Sequence, residues 1–322
     1  MSQLLDIVLV AMTVFLAVWT VMARDVFSAT VGFMAFGLLL AIIWVQLAAP
    51  DVAMTEAAIG AGASGVLFLR FIARRDALGA SIGKPRPDDA PVPTGLRIAC
   101  GALCGIVAMA LGIAVLALPS PAPSLAQAAA ASLPRTGLGN PIAAVLMAYR
   151  ALDTLLESVV LVLALIGIWS LSPDSAWGSS PDPFPSPAPA GPLTLFARLL
   201  PPVGIIVGIH LTWIGATAPG GKFQGATVLA AMWLLAMMAG LARPPAIGAT
   251  WLRVLLAAGP TIFLAIGFSG WLFADAFLAY TDAAAKPIIV LIEAVLTPSI
   301  AAILAMMLIG PPALAHMRAP DT

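Results

Sequence analysis

The chain has 322 residues, of which 61% are hydrophobic and only 9% are charged, and its mean hydropathy is +1.05. Such an apolar composition excludes an ordinary soluble domain and indicates a helical membrane protein. The 15 basic and 15 acidic residues give a net charge of zero, so nothing in the composition indicates nucleic-acid binding.

Repeated apolar segments of about 20 residues predict transmembrane helices. Their positions are near residues 3–22, 27–48, 51–73, 95–118, 147–171, 194–216, 223–242, 251–273 and 287–309. Residues 119–140 and 172–192 are rich in Pro, Ala, Ser and Gly and predict loops, and the stretch from Ala73 to Arg97 is polar. We therefore expect an all-α polytopic integral membrane protein of about nine spans in blocks of three, two and four. The corresponding domains are residues 1–80, 95–172 and 193–315.

The basic residues predict the orientation of the chain in the cell inner (plasma) membrane. With the amino terminus outside, eleven of the 15 basic residues fall on the inner side, six of them between residues 70 and 97. Only Arg135, Arg150, Lys222 and Lys286 fall on the outer side. This asymmetry agrees with the positive-inside rule and places the carboxyl terminus in the cytoplasm. The first segment has no charged amino-terminal region and no cleavage site, so we expect it to be a retained span.

The chain contains three glutamates, and each one falls inside an apolar segment. A carboxylate at membrane depth costs at least a few kcal/mol, so it usually marks an ion or proton pathway. Asp51 follows Pro50 and fits the first turn of a helix, where capping explains its charge adequately. Glu56 lies roughly 7–8 Å further along the helix axis, too deep for capping, which favours a functional role. The glycines between Gly60 and Gly65 permit close packing and make this helix easy to bend or bulge.

A second acidic cluster precedes the fifth apolar segment. Helical spacing places Arg150, Asp153 and Glu157 on one face, where they can act as one unit. Two carboxylates so close would repel each other, so Arg150, a bound cation or a shared proton would offset them. The alternative is a static ion pair that anchors the helix end at the membrane interface. Glu157 lies further inside, which favours a functional role for this residue.

The last apolar segment carries Glu293 about two turns from its start. Pro298 cannot donate a hydrogen bond to the carbonyl of Ala294, so we expect a kink beside this carboxylate. Lys286 lies seven residues earlier on the same face and could extend toward the interface or pair with Glu293 through water. The alternative is a structural, hydrogen-bonded Glu293.

Other residue types give no indication of an enzyme, a cofactor or a metal site. The sequence has no two-histidine metal motif, no nucleophile elbow and no phosphate loop, and His210 and His316 are its two histidines. His210 fits a packed residue better than a proton relay. Cys100 and Cys104 are four residues apart in one apolar run, which is typical of buried packing residues.

The first block resembles a known family. Its motif is Ala-Pro-Asp51 followed by Thr55 and Glu56 and by the glycine-rich run 60–69. It resembles the small three-helix domain at the end of the A subunit of Mrp-type Na+/H+ antiporters and in membrane-bound hydrogenase D subunits.

The second and third blocks carry further motifs of the same complexes. Residues 149–157, Tyr-Arg-Ala-Leu-Asp-Thr-Leu-Leu-Glu, resemble the hydrogenase E subunit. Residues 218–225, Ala-Pro-Gly-Gly-Lys-Phe-Gln-Gly, resemble the B subunit of Mrp antiporters. That family usually has His-Asn before the motif and a third glycine within it, whereas this chain has Ala216, Thr217 and Lys222. The departure argues against an ion-binding role for this loop.

The resemblance implies an accessory subunit of a multisubunit monovalent cation (Na+)/proton antiporter. The first five helices would be similar to the J subunit of bacterial complex I. The implied partners are small and large antiporter-like membrane subunits, Na+ or H+, and membrane lipid. By this resemblance, a role in the ion path is expected for Asp51, Glu56, Arg150, Asp153 and Glu157. For Glu293 the same role is expected mainly because the residue is buried. The large antiporter domain is absent, so this polypeptide should not pump unaided. The alternative is a structural scaffold of a membrane-bound hydrogenase or complex I-like assembly, in which the buried acids only pair with basic residues.

Overall fold

The computed structural model describes residues 2–77, 93–121, 123–181 and 191–312, without the side chains of residues 2 and 74–77. Some residues used in the sequence predictions lie outside the described residues. These are three of the basic residues counted for the orientation, Lys84, Arg86 and Arg318, together with His316 and parts of the predicted loops.

The described chain is built from helices. These are α1 (Ser2–Met22), α2 (Val26–Gln46), α3 (Pro50–Thr55, continued by a π-helical stretch Glu56–Ala63 and by Ser64–Ala77), α4 (Thr94–Leu116), α5 (Ala126–Thr136), α6 (Pro141–Ala144 and a π-helical stretch Val145–Tyr149), α7 (Ala151–Trp169), α8 (Pro192–Ile214), α9 (Lys222–Met238), α10 (Thr250–Phe273) and α11 (Ala285–Ile309). A short 3₁₀ turn spans Asp174–Ala176, and an isolated β-bridge joins Pro181 and Pro312.

Eight of the described helices are long and apolar enough to cross a membrane. The shorter helix α9, with 17 residues, corresponds to the remaining predicted span. The predicted all-α polytopic membrane protein of about nine spans is thus confirmed.

Two local predictions differ from the structure. The predicted loop 119–140 contains helix α5, because its run of alanines has the highest intrinsic helix propensity. Helix α5 ends at Gly137, which adopts the left-handed conformation with φ +67°. The fifth span begins at Ala151 and not at residue 147, because the π-helical stretch and the irregular backbone of Arg150 precede it.

Helix α11 is the centre of the bundle. It packs against α7, α8, α9 and α10. About two thirds (67%) of the residues in its most apolar 18-residue stretch are buried. Fully buried side chains such as Ile289, Ile292, Leu296 and Ile300 fill these contacts, as expected for a helix that is apolar on all sides. Glu293 is therefore carried by the most enclosed helix of the described structure.

The first block joins this bundle through α3. Helix α3 packs against α2 along its length, and its first two stretches, Pro50–Thr55 and Glu56–Ala63, also contact α9. Helix α4 has no buried residue within the described structure. The first and third blocks are thus in direct contact, whereas α4 leaves its apolar surface uncovered.

Candidate functional site

A cavity of about 190 Å³ lies where α3, α7, α9 and α11 begin. Its polar side chains come from all three blocks: Asp51, Thr55, Glu157, Lys222, Gln224 and Glu293. Apolar residues of α6 close one wall. The cavity therefore surrounds one lysine with three acids, at the end of the bundle that the orientation prediction places outside.

Lys222 is the cation of this cavity and is only 3% exposed. It is the first residue of α9 and follows Gly220 (φ +157°) and Gly221 (φ +130°), which allow the chain to turn sharply into the helix. Its Nζ lies 3.8 Å from Sδ of Met147 and 4.8 Å from the ring centre of Phe223. The ring gives a cation–π contact that lowers the cost of burial.

The charge of Lys222 interacts with Glu293 and with Glu157. Within the described part of the chain, Lys222 forms no direct ion pair with either acid. Burying an ammonium is costly unless nearby charges compensate it. The acids therefore compensate the ammonium of Lys222 across the cavity, without a direct ion pair.

Glu293 lies in the interior at 4% exposure. Its Oε2 atom is buried without a hydrogen-bond partner among the described residues, which is uncommon for a buried polar group. The backbone carbonyl of Glu293 accepts a 2.7 Å hydrogen bond from Thr297 Oγ1. The carboxylate also interacts with the charges of Lys222 and Asp51. Oε2 of Glu293, which lines the cavity, can therefore still accept a hydrogen bond.

Asp51 is buried and holds the loop between α8 and α9. Its Oδ1 accepts hydrogen bonds from the backbone N–H of Gly220 at 2.9 Å and from Asn140 Nδ2 at 3.2 Å. Its backbone carbonyl accepts from Gln224 Nε2 at 3.0 Å. Asn140 Nδ2 also donates to the carbonyls of Gly215 and Ala218. Asp51 therefore fixes the α8–α9 loop, which positions Lys222 in the cavity.

The predicted cluster of Arg150, Asp153 and Glu157 is divided in the structure. Arg150 and Asp153 form an ion pair at the surface, with side chains 69% and 52% exposed. Glu157 is also exposed, but it lines the cavity and interacts with Lys222. The irregular backbone of Arg150, with φ −131°, removes it from the helical face that the spacing predicts.

Glu56 and Lys286 lie apart from the cavity lining. Glu56 begins the π-helical stretch of α3 and is half-buried, with its carboxylate close to Gly60 and facing Gly37 of α2. Lys286 is exposed, and its side chain packs beside Gly137. Lys286 is therefore not the lysine that accompanies Glu293 in the structure.

Lys222, Gln224 and Asn140 are the site residues that sequence reasoning missed. Gln224 Nε2 bridges the backbone carbonyl of Asp51 and Thr55 Oγ1, the latter at 2.9 Å. A signal existed for Asn140, because Asn followed by Pro141 is a typical helix start, and Asn140 Oδ1 indeed accepts from the N–H of Ile142. For Lys222 the signal was that a lysine stands where the family motif has its third glycine.

Comparison with protein families identifies two regions of the chain. Residues 11–76 match the family model MbhD, which describes the D subunit of MBH. Residues 192–311 match the model described as a domain related to the MnhB subunit of Na+/H+ antiporter. These matches confirm the resemblance of the first and third blocks, while that of the second block stays a prediction. No curated protein matches the sequence significantly.

A solved structure shares the fold. The match is a chain of the structure of the Mrp complex from Dietzia sp. DQ12-45-1b, with a TM-score of 0.69 and 22% sequence identity. The alignment covers 98% of this chain and 35% of the Dietzia chain, so this chain spans about a third of the length of that protein. The chain therefore joins in one polypeptide a region similar to the MbhD model and a region similar to the MnhB-related model.

Proposed function

We propose that the chain is an accessory membrane subunit of a multisubunit monovalent cation (Na+)/proton antiporter. It contributes buried carboxylates to an ion or proton path and docks the large antiporter-like subunits. Both family matches and the fold shared with a chain of an Mrp complex support this proposal. The observation that carries it is the cavity in which Lys222 is surrounded by acids from all three blocks. We take these blocks, residues 1–80, 95–172 and 193–315, as the domains.

The charges of the cavity suit exchange of a proton for a monovalent cation. Oδ1 of Asp51 is occupied by Gly220 of the α8–α9 loop and by Asn140, the cap of α6. Lys222 can balance one of the two remaining acids, Glu157 and Glu293, and the other is then free to take one proton or one Na+. Two ions that compete for one carboxylate cannot cross together, which is the requirement for antiport. Glu157, at the exposed edge, would connect the cavity to a neighbouring protein of the complex.

The remaining predicted site residues have different roles in this proposal. Glu56, half-buried between α2 and α3, is a second carboxylate that could serve a path along the first block. The exposed pair Arg150–Asp153 lies where a partner subunit would contact the chain, whereas the exposed Lys286 lies outside the cavity. We place the amino terminus outside and the carboxyl terminus in the cytoplasm.

The sharpest test replaces Lys222 by methionine, which has similar length and no charge, in the native complex. We expect Na+-dependent dissipation of a pH gradient in membrane vesicles to fall to background. Lys286→Met is the matched control, because it removes an exposed lysine near the start of α11 and should leave exchange nearly unchanged. Normal exchange by Lys222→Met in an assembled complex would refute the proposed path.

A double variant separates transport from assembly. Removing one member of a buried charged group costs about 3–5 kcal/mol, so Lys222→Met could weaken the fold itself. Adding Glu293→Gln removes the carboxylate that Lys222 compensates and should restore the amount of assembled complex. We expect exchange to stay absent in the double variant. Recovery of both assembly and exchange would instead support a purely structural role for the pair.

A second candidate is a structural scaffold in a membrane-bound hydrogenase or complex I-like assembly, without a role in an ion path. The match of residues 11–76 to the MbhD model favours it. Purification of the native complex and identification of its subunits by mass spectrometry distinguishes the two. A NiFe hydrogenase partner would support the second candidate, whereas a set of antiporter-like subunits would support the first.

A further inference from the structure

The cavity around Lys222 contains a small space between two side-chain oxygens, beside Gly221. This glycine has φ +130° and directly precedes α9. A Cβ atom built on Gly221 would lie 3.3 Å from Oε1 of Gln224 and 3.6 Å from Oε1 of Glu293. Apart from Gly221 and its two chain neighbours, no other atom of the described residues lies within 4 Å of that position. We call this space, between Gly221, Gln224 and Glu293, the Gly221 subsite.

The side-chain amide of Gln224 is fixed in one orientation. Its Nε2 donates to the backbone carbonyl of Asp51 at 3.0 Å and to Thr55 Oγ1 at 2.9 Å, which uses both amide hydrogens. The reversed amide would place its oxygen against the carbonyl oxygen of Asp51, and neither oxygen has a hydrogen to donate. Oε1 of Gln224 therefore faces Gly221, where it accepts no hydrogen bond from any described residue.

Glu293 supplies a negative charge to the Gly221 subsite. The residue is only 4% exposed, and its Oε2 is buried without a hydrogen-bond partner among the described residues. The carboxylate also interacts with the backbone N–H of Lys222, at the start of α9. A buried carboxylate is costly unless donors or a cation satisfy its oxygens. The subsite therefore combines one charged oxygen ligand, which is incompletely satisfied, with one neutral oxygen ligand.

The charge of the cavity favours a cation over a neutral ligand. Three acids, Asp51, Glu157 and Glu293, line the cavity together with one lysine, Lys222. When all four are ionised, three negative charges against one positive charge leave an excess of two negative charges. In the part of the chain that the structure describes, Lys222 forms no ion pair with Glu293. A position beside the Glu293 carboxylate therefore remains for a second cation.

We propose that the Gly221 subsite binds one partly dehydrated Na+, held by the carboxylate of Glu293 and by Oε1 of Gln224. This inference rests on the proposed function and names the ligands of its ion. Oxygen ligands suit hard cations, and the strong field of a carboxylate favours Na+ over the larger K+. With Na+ on Glu293, the charge of Lys222 remains available to Glu157. Gln224 then determines specificity, because its oxygen contributes to holding Na+ but is not needed to hold a proton on Glu293.

Binding is measured on the purified full-length chain in detergent, with radioactive Na+ in a scintillation proximity assay. We expect one saturable Na+ per chain, displaced by unlabelled Na+ at lower concentrations than by K+. Gln224→Leu removes the neutral ligand and should weaken Na+ binding about threefold to tenfold, as expected for the loss of one polar contact. Glu293→Gln should abolish saturable binding. Gln46→Leu is the matched control, because Gln46 is exposed on α2 outside the cavity lining, and it should bind Na+ as the wild type does.

A second substitution of Gln224 separates ligation from packing. Gln224→Glu loses the amide hydrogens, as Gln224→Leu does, but keeps a side-chain oxygen for Na+ and adds a charge. We expect its Na+ affinity to equal or exceed that of the wild type, in samples that elute as the wild type in size-exclusion chromatography. Loss of binding in both variants would show that the amide is only structural and would refute its role as a ligand. Wild-type affinity in Gln224→Leu, or no saturable binding by the wild-type chain, would overturn the Gly221 subsite.

The Gly221 subsite and the proposed function can fail separately. If both hold, Gln224→Leu in the native complex raises the Na+ concentration for half-maximal exchange by the factor that it weakens binding, and the maximal rate changes less. Normal exchange with an unchanged half-maximal concentration would refute the subsite and leave antiport standing. Na+ binding that Gln224→Leu weakens, in a complex that exchanges no Na+ for protons, would refute antiport and leave the subsite standing.

Discussion

Asp51 shows how a single acid can position the other residues of a site. Its carboxylate accepts from the N–H of Gly220 and from Asn140, and these bonds connect the first block to the second and third. Hydrogen bonds to a charged group contribute about 1.5–3 kcal/mol, more than those between neutral groups. The position of Lys222 in the cavity therefore depends on a charge 171 residues earlier in the sequence (222 minus 51).

Replacement of Asp51 should destabilise the protein. Asp51→Asn keeps the shape but removes the charge, so we expect a loss of about 1–2 kcal/mol, and Asp51→Ala should lose more. Asp153→Asn is the matched control, because its ion pair with Arg150 is exposed and contributes at most about 1 kcal/mol. Thermal unfolding of the purified chain, followed by tryptophan fluorescence, measures the difference. Equal shifts for Asp51→Asn and Asp153→Asn would contradict the positioning role.

Some of the site could be predicted from the sequence because hydropathy and helical position are local properties. They placed Asp51, Glu157 and Glu293 within apolar segments, and the structure brings these three acids to one cavity. The burial of Lys222 depends on contacts with Met147, 75 residues away, which no local pattern encodes. A regular helix was also assumed through Arg150, and the break there could not be read from residue spacing.

The π-helical stretch of α3 determines where Glu56 points. A π-helix inserts an extra residue per turn, so it rotates the residues on its two sides relative to each other. In α3 it lies between Asp51, which lines the cavity, and the last stretch of the helix, Ser64–Ala77. The glycines of this stretch leave room for the Glu56 carboxylate against the helix itself. The bulge that the glycine-rich sequence made possible is thus present, although the sequence could not fix its position.

Gly60→Ala should disturb this arrangement. A Cβ atom at residue 60 would lie 2.4 Å from Oε1 of Glu56, so the carboxylate must move. The contact is with the end of a flexible side chain, so we expect the displacement of the carboxylate to cancel the gain in helix propensity and the melting temperature to stay near that of the wild type. Gly101→Ala in α4 is the control. Among the described residues, no atom outside the helix's own backbone lies within 4 Å of its Cβ position, so better helix propensity should raise the melting temperature.

A double variant identifies the cause of the Gly60→Ala effect. Glu56→Ala removes the atoms that meet the new methyl group, so in that background Gly60→Ala should raise the melting temperature as Gly101→Ala does. Such an interaction is measured by a double-mutant cycle. If the two effects simply add, the clash lies elsewhere in α3.

At the scale of the whole molecule, the described chain leaves much apolar surface uncovered. Helix α4 has no buried residue, and Cys100 and Cys104 are exposed on it, contrary to the packing role expected for them. Large exposed apolar patches usually mark contacts with lipid or with a partner protein. The expectation failed because burial was inferred from hydropathy, which does not distinguish a helix that faces lipid or a partner from one that faces the protein core.

The proposed docking of partner subunits can be tested with the two native thiols. In the isolated chain in detergent, we expect both cysteines to react with a lipid-soluble maleimide. In the native complex in the same detergent, labelling should be several-fold slower if a partner covers α4. Labelling after denaturation gives the total for each sample. Identical rates in both samples would show that α4 faces detergent in the complex as well.

The hydrogen bond between Asp51 and Gly220 also has a consequence for biosynthesis. The two residues are 169 positions apart, so a ribosome makes the acceptor about 10–30 seconds before the donor. During this interval the carboxylate of Asp51 lacks the Gly220 donor and must be solvated or paired in another way. The cavity can therefore close only after α8 and the loop to α9 have been translated, which makes its assembly a late event in the synthesis of the chain.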